Sequence, residues 1–125
     1  MIGNGPGEIC WMELLVDDPT LVLPFYSELF GWQFSTPMPM NGGDYYSFKV
    51  NGEDVGGIMK RPPNVPKMPP VWMNYFSVNS VDKWLDKAQA LGGKIVMPKT
   101  EIPETGLFAC IEDPTGAHSY LFGLL

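Results

Sequence analysis

Hydrophobic and polar positions alternate with changing period along the chain, and each change marks an element. Residues 9–16, ICWMELLV, form an almost continuous apolar run bounded by Gly7 and by Asp17-Asp18-Pro19. This predicts a strand followed by a helix start, since proline in a first helical turn gives up an N–H that has no partner there anyway. Leu21, Phe25 and Leu29 then recur every four residues, the spacing of a core-facing helical stripe. Pro24 would remove a hydrogen bond from an interior turn, so regular helix is expected to begin near Leu23, and Gly31 is its stop. Residues 32–35 alternate as a short strand, and residues 37–44 read as loop. Residues 45–50 and 55–59 read as a hairpin about Asn51-Gly52.

The same order returns further along. Shifted by sixty-two positions, Leu29 and Gly31 fall on Leu91 and Gly93, Val16 falls on Val78, and the run 45–48 falls on 107–110. A strand is expected over 72–78, then a helix capped by Ser80 with Val81, Trp84, Leu85, Ala88 and Leu91 on one face. Gly92-Gly93 should stop it, a strand should cover 94–97, and a hairpin should join 108–112 to 118–123 around Asp113-Pro114-Thr115-Gly116. A unit too small to bury its own apolar face usually completes its core against a copy. The expected fold class is therefore α+β: two βαβββ modules, about 7–61 and 72–125, forming a curved, cleft-enclosing mixed sheet with helices outside. Residues 60–71 serve as linker, because five of the thirteen prolines fall within 60–70.

Composition narrows the functional classes. At 125 residues the chain fits a single domain. Two cysteines, Cys10 and Cys110, suit free thiols better than a disulfide scaffold. No apolar run reaches the roughly 18 residues of a membrane span, and the first residues lack the basic and apolar regions of a signal peptide, so a cytoplasmic protein is expected. A formal charge of −6, with Lys60-Arg61 as the main basic pair, argues against nucleic acid.

Asp17-Asp18-Pro19 followed by FYSELFGW, a helix ending in LGG, and a late DPTGA hairpin resemble the vicinal oxygen chelate superfamily, which includes glyoxalase I, bleomycin-resistance proteins and extradiol dioxygenases. The resemblance spans about residues 7–125 and implies the glyoxalase/bleomycin-resistance fold, a small-molecule ligand and a homodimer. It also implies a divalent metal held by His, Glu or Gln on the first and last strands of each module. Carried over residue by residue, those positions fall on Trp11, Met73 and Tyr120, with the fourth on Ile58, or on Gly57 or Met59 if the shorter turn shifts register. Indole, thioether and phenol do not suit a hard divalent ion. No metal and no other cofactor are therefore expected.

If Trp11 points into the cleft, the two-residue strand period sends Ile9, Glu13 and Leu15 the same way, while Cys10, Met12, Leu14 and Val16 pack under the helices. Glu13 then becomes a general acid or base or a ligand anchor, unless it simply reaches solvent or a backbone amide. Met73, Tyr75 and Ser77 share one face, as do His118, Tyr120 and Phe122, which makes an aromatic wall suited to a ligand or to a filled core. The expected ligand-binding set is Trp11, Glu13, Phe48, Met73, Tyr75, His118 and Tyr120. In the alternative reading, a glyoxalase-like lyase, isomerase or oxygenase, either Glu13 and His118 transfer protons or a divalent metal is recruited. Trp84 is expected in the core, and Trp72 either rims the cleft or closes a core.

Overall fold

The computed structural model describes residues 3–40, 43–61 and 69–124. Most of the proline-rich linker, residues 62–68, lies outside the described residues, as do Asn41 and Gly42. The described residues form two compact units, one built from Trp11–Trp72 and the other from Gly3–Cys10 with Met73–Leu125. The leader expected in module one thus belongs to the second unit. There Gly7 N–H donates to Ser77 O at 2.8 Å and Ser77 N–H donates to Glu8 O at 2.8 Å.

In the first unit, strand β1 (Ile9–Val16) leads to a 3-10 turn (Pro19–Leu21) and then to helix α1 (Leu23–Phe30). Asp18 caps the turn through Oδ1, which accepts from Thr20 N–H at 3.1 Å and from the Thr20 hydroxyl at 2.6 Å. Gly31 ends α1 with φ 73°, a left-handed conformation that glycine adopts without steric cost. Strands β2 (Gln33–Phe34) and β3 (Met38–Met40) both pair antiparallel with β4 (Gly43–Val50). Strand β4 pairs antiparallel with β5 (Glu53–Lys60), which lies parallel to β1.

Strand β3 falls inside the stretch expected to be loop, and the internal repeat explains it. In the second unit β6 (Val71–Ser77) precedes helix α2 (Val81–Ala90) and strands β7 (Lys94–Ile102), β8 (Gly106–Glu112) and β9 (His118–Gly123). Shifted by the repeat, β2 and β3 fall on the two ends of the single strand β7. In the first unit Ser35-Thr36-Pro37 separates the two pieces, whereas β7 runs as one strand through Pro98. In β7 the same stretch survives as register shifts around Met97 and Thr100. Strand β9 pairs parallel with β6 and antiparallel with β8, so each unit mixes both kinds of pairing.

The first core gathers Leu14, Val16, Phe48, Val55 and Ile58, with Val22, Leu23, Tyr26, Trp32 and Trp72 packed against it. Trp32 stacks on Phe48 at 4.2 Å between ring centroids, and Trp72 meets both rings edge-on, so Trp72 closes this core. The α1 stripe inferred from spacing is turned outward: Leu21, Phe25 and Leu29 are 73%, 58% and 59% exposed. Val22 and Tyr26 make the inward contacts instead, one residue along from the expected row. In the second unit Val81 and Leu85 of α2 pack on Val78, Ala109 and Leu121, with Trp84 partly buried beside them. Leu91, the C-cap residue of α2, is exposed.

Candidate functional site

Period two along β1 divides its side chains as expected. Leu14 and Val16 enter the helix-side core, while Trp11 and Glu13 emerge half-buried on the opposite face. Register carries that face across three strands: Glu13 pairs with Gly57 on β5, and Gly57 pairs with Ser47 on β4. Tyr45, two residues before Ser47, shares the face and reaches back over Gly57. Its ring fits because Gly57 has no side chain; a Cβ there would collide with the phenol.

The three polar side chains form a chain of hydrogen bonds. Trp11 Nε1–H donates to Tyr45 Oη at 2.8 Å, and Tyr45 Oη–H donates to Glu13 Oε2 at 3.0 Å. Burial raises the Tyr45 pKa far above that of a free phenol, and the neighbouring Glu13 charge raises it further. Burial thus favours the neutral phenol, and its hydroxyl is the donor to Glu13. Beyond it, Gln33, Phe34, Ser35, Ser47 and Lys49 line a cavity of about 260 Å³. Lys49 is ion-paired with Asp54 at 2.9 Å.

Phe48 departs from its expected place. It is 0% exposed in the core beneath α1, because it sits an odd number of residues from Tyr45 and so shares the helix-side face with Ile58. The open register at the fourth family position resolves in the same way. Ile58 is fully buried on the helix side, whereas Gly57 lies opposite Glu13 as Tyr120 lies opposite Tyr75. Under the repeat Glu13 falls on Tyr75, so Gly57 is the counterpart of Tyr120.

The second unit presents Met73, Tyr75 and Tyr120 on the face away from α2, with Tyr75 and Tyr120 ring centroids 5.0 Å apart. Cys110, paired with Tyr120 across the ladder, is buried, and desolvation pushes its thiol pKa up. His118 is exposed at the start of β9, and its Nε2 lies 3.4 Å from Glu112 Oε1, its cross-strand neighbour. Among the described residues, no three His, Cys, Asp or Glu side chains come together as a metal site. The four positions to which the resemblance assigns metal ligands hold an indole, a glycine with no side chain, a thioether and a phenol, a donor set that does not fit a hard divalent ion.

Tyr45, the side chain that ties Trp11 to Glu13, was not legible as a site residue. Its only trace in the sequence is its alternation with Phe48, combined with a glycine in the neighbouring strand.

Comparison with known proteins agrees with this fold. The model of the Glyoxalase/Bleomycin resistance protein/Dioxygenase superfamily matches residues 8–118. The chain belongs to this superfamily. Among solved structures of the superfamily's fold, methylmalonyl-CoA epimerase from Mycobacterium tuberculosis aligns with a TM-score of 0.70 and 14% identity, covering 100% of this chain and 93% of that one. A hypothetical protein from Bacillus halodurans aligns with a TM-score of 0.72 and 10% identity, covering 95% of each chain. At such identities the likeness establishes the fold alone. In sequence, "Putative glyoxylase CFP32" of Mycobacterium bovis is 40% identical over 109 residues, 86% of this chain and 42% of that protein. The anthracycline biosynthesis protein DauV of a Streptomyces is 27% identical over 124 residues, 90% of this chain and 45% of that protein. The chain spans about half the length of the curated relatives it matches. No helix among the described residues is long and apolar enough to cross a membrane.

Proposed function

We propose that this superfamily member binds a small, largely apolar or aromatic molecule in the cytoplasm without using a metal, and that it does so as a homodimer. Trp11, Glu13 and Tyr45 are the ligand contacts proposed on the first unit, and Met73, Tyr75, His118 and Tyr120 are those proposed on the second, each unit taken by itself. The observation that carries the reading is the content of the family's metal-ligand positions in unit one. Trp11 and Gly57 occupy them, and the space beside Gly57 is taken by the Tyr45 ring. Aromatic surface with a few oriented polar groups is the common lining of small-molecule sites, and its burial contributes roughly 25 cal/mol per Å².

A thermal-shift screen of aromatic compounds tests the reading, because a ligand bound only by the native state raises apparent stability. Compounds that raise the melting temperature of the wild-type protein but not of a Trp11→Ala variant support it. Stoichiometric Ni, Zn, Mn or Fe in the purified protein, lost on substitution of Glu13, overturns the metal-free part, and light scattering checks the dimer.

The name of the 40% identical relative favours a second reading, a glyoxalase-like enzyme in which Glu13 or His118 moves a proton. Glu13→Gln separates the two. Loss of turnover with affinity kept marks catalysis, and lost affinity in a protein without turnover marks binding.

A further inference from the structure

Tyr45 is not the last side chain that β4 sets on the open face. By the two-residue period Ser47 follows it about 7 Å along the strand and Lys49 about 13 Å along. Strand β2 runs beside them: Gln33 pairs with Lys49, Ser35 N–H donates to Ser47 O at 2.8 Å, and Ser47 N–H donates to Ser35 Oγ at 3.1 Å. These four residues and Phe34 line the cavity of about 260 Å³. Past Phe48 the ladder with β5 skips a residue, since Phe48 faces Gly56 but Lys49 faces Asp54. A bulge of this kind leaves one residue unpaired and re-aims its neighbours. Here it keeps Val55 in the helix-side core and sets Asp54 opposite Lys49, whose Nζ lies 2.9 Å from Asp54 Oδ1. With strict alternation the apolar Val55 would stand there.

We infer that this cavity receives the carboxylate end of the ligand, with Lys49 as its counter-charge and Asp54 as the placeholder that the ligand displaces. The inference rests on the proposed ligand-binding reading and names its ligand class, an aromatic acid whose ring lies by Trp11 and Tyr45 and whose acid group lies about 7–13 Å away along β4. The side-chain donors around the cavity suit such an acceptor. An ammonium has three protons to give, of which Asp54 takes one, and the Gln33 amide and the Ser47 hydroxyl can each give another, while the Ser35 hydroxyl is engaged by the Thr36 carbonyl at 2.9 Å. The close approach of Asp54 shows that the ammonium already accommodates a carboxylate. Both partners are half exposed, and an ion pair in that position adds little to stability, so exchanging one carboxylate for another disturbs the fold little.

Naphthylbutyrate and its primary amide test the inference, since they share ring and chain and differ in charge. Calorimetric titration of the intact protein should show the acid binding about tenfold tighter or more, the usual scale for a hydrogen bond to a charged group. In Lys49→Gln the preference should fall towards unity while the affinity for the amide is kept. Asp54→Asn should do the reverse and raise the affinity for the acid severalfold, which removal of an ion pair that serves stability alone would not do. Equal binding of the two probes by the wild type overturns the inference and leaves the aromatic-ligand reading standing. Binding of neither overturns both. A Lys49→Gln protein that keeps the full preference removes Lys49 from the site, and an Asp54→Asn protein with unchanged affinity for the acid removes Asp54 from the placeholder role.

Discussion

At position 57 the fold has room for a hydrogen atom and nothing larger. Gly57→Ala forces the Tyr45 ring out of its place, so both bonds of the Trp11–Tyr45–Glu13 chain should break, at a cost of about 1–3 kcal/mol. Urea denaturation reads the stability, and the NMR shift of the Trp11 indole proton reads the lost bond; an unchanged indole signal would contradict this account. Cys10 and Cys110 are buried, and desolvation raises both thiol pKa values. They should resist a thiol reagent in the native protein and react at once in denaturant. Fast native labelling would count against the packing described. The residue-level site was half legible. Period two along one strand was enough to pair Trp11 with Glu13, but Tyr45 joins them through cross-strand register and a neighbouring glycine. Neither is visible within a single strand's pattern, and the same blindness put Phe48 on the wrong face.

Among the elements, α1 shows how spacing can identify a helix and misplace its face. Leu21, Phe25 and Leu29 keep a perfect four-residue spacing yet lie outside, while Tyr26 packs between Trp32 and Trp72. Phe25→Ser should therefore change stability by no more than about 0.5 kcal/mol, whereas Tyr26→Ala should cost about 3 kcal/mol or more. Thermal unfolding of the two variants checks the order, and equal losses would contradict it. The hairpin joining β8 and β9 carries a pH dependence. The Asp113 carboxylate accepts from the Thr115 hydroxyl and from the amides of Thr115 and Ala117, which holds its pKa below the usual carboxylate range. Since the folded value is the lower one, its contribution is complete above the unfolded pKa and fades as pH falls through the folded one. Hydrogen exchange at Thr115 and Ala117 should thus gain protection between those limits in the wild type relative to Asp113→Ala, and the difference should vanish in stronger acid. The turn was readable from Asp, Pro, Thr and Gly in sequence, while β3 was not, because a three-residue strand separated from β2 resembles a loop until its repeat counterpart β7 is aligned with it.

For the whole molecule, the repeat proved the most reliable guide. A single offset aligns β1 with β6 and β4 with β8, and it resolves the last family position to Gly57 by matching Glu13–Gly57 with Tyr75–Tyr120. The superfamily scaffold is thus shared with its solved relatives, and the side chains at its metal-ligand positions differ in chemistry from those the family name implies. The central claim is that an aromatic ligand is held by this hydrogen-bonded cluster and not by an ion. Titrating chelator-treated protein with naphthol while following the Trp11 indole proton by NMR tests it most directly. The account predicts a saturable shift of that proton, with the same affinity before and after a divalent metal is restored; binding that appears only once the metal is added would contradict it.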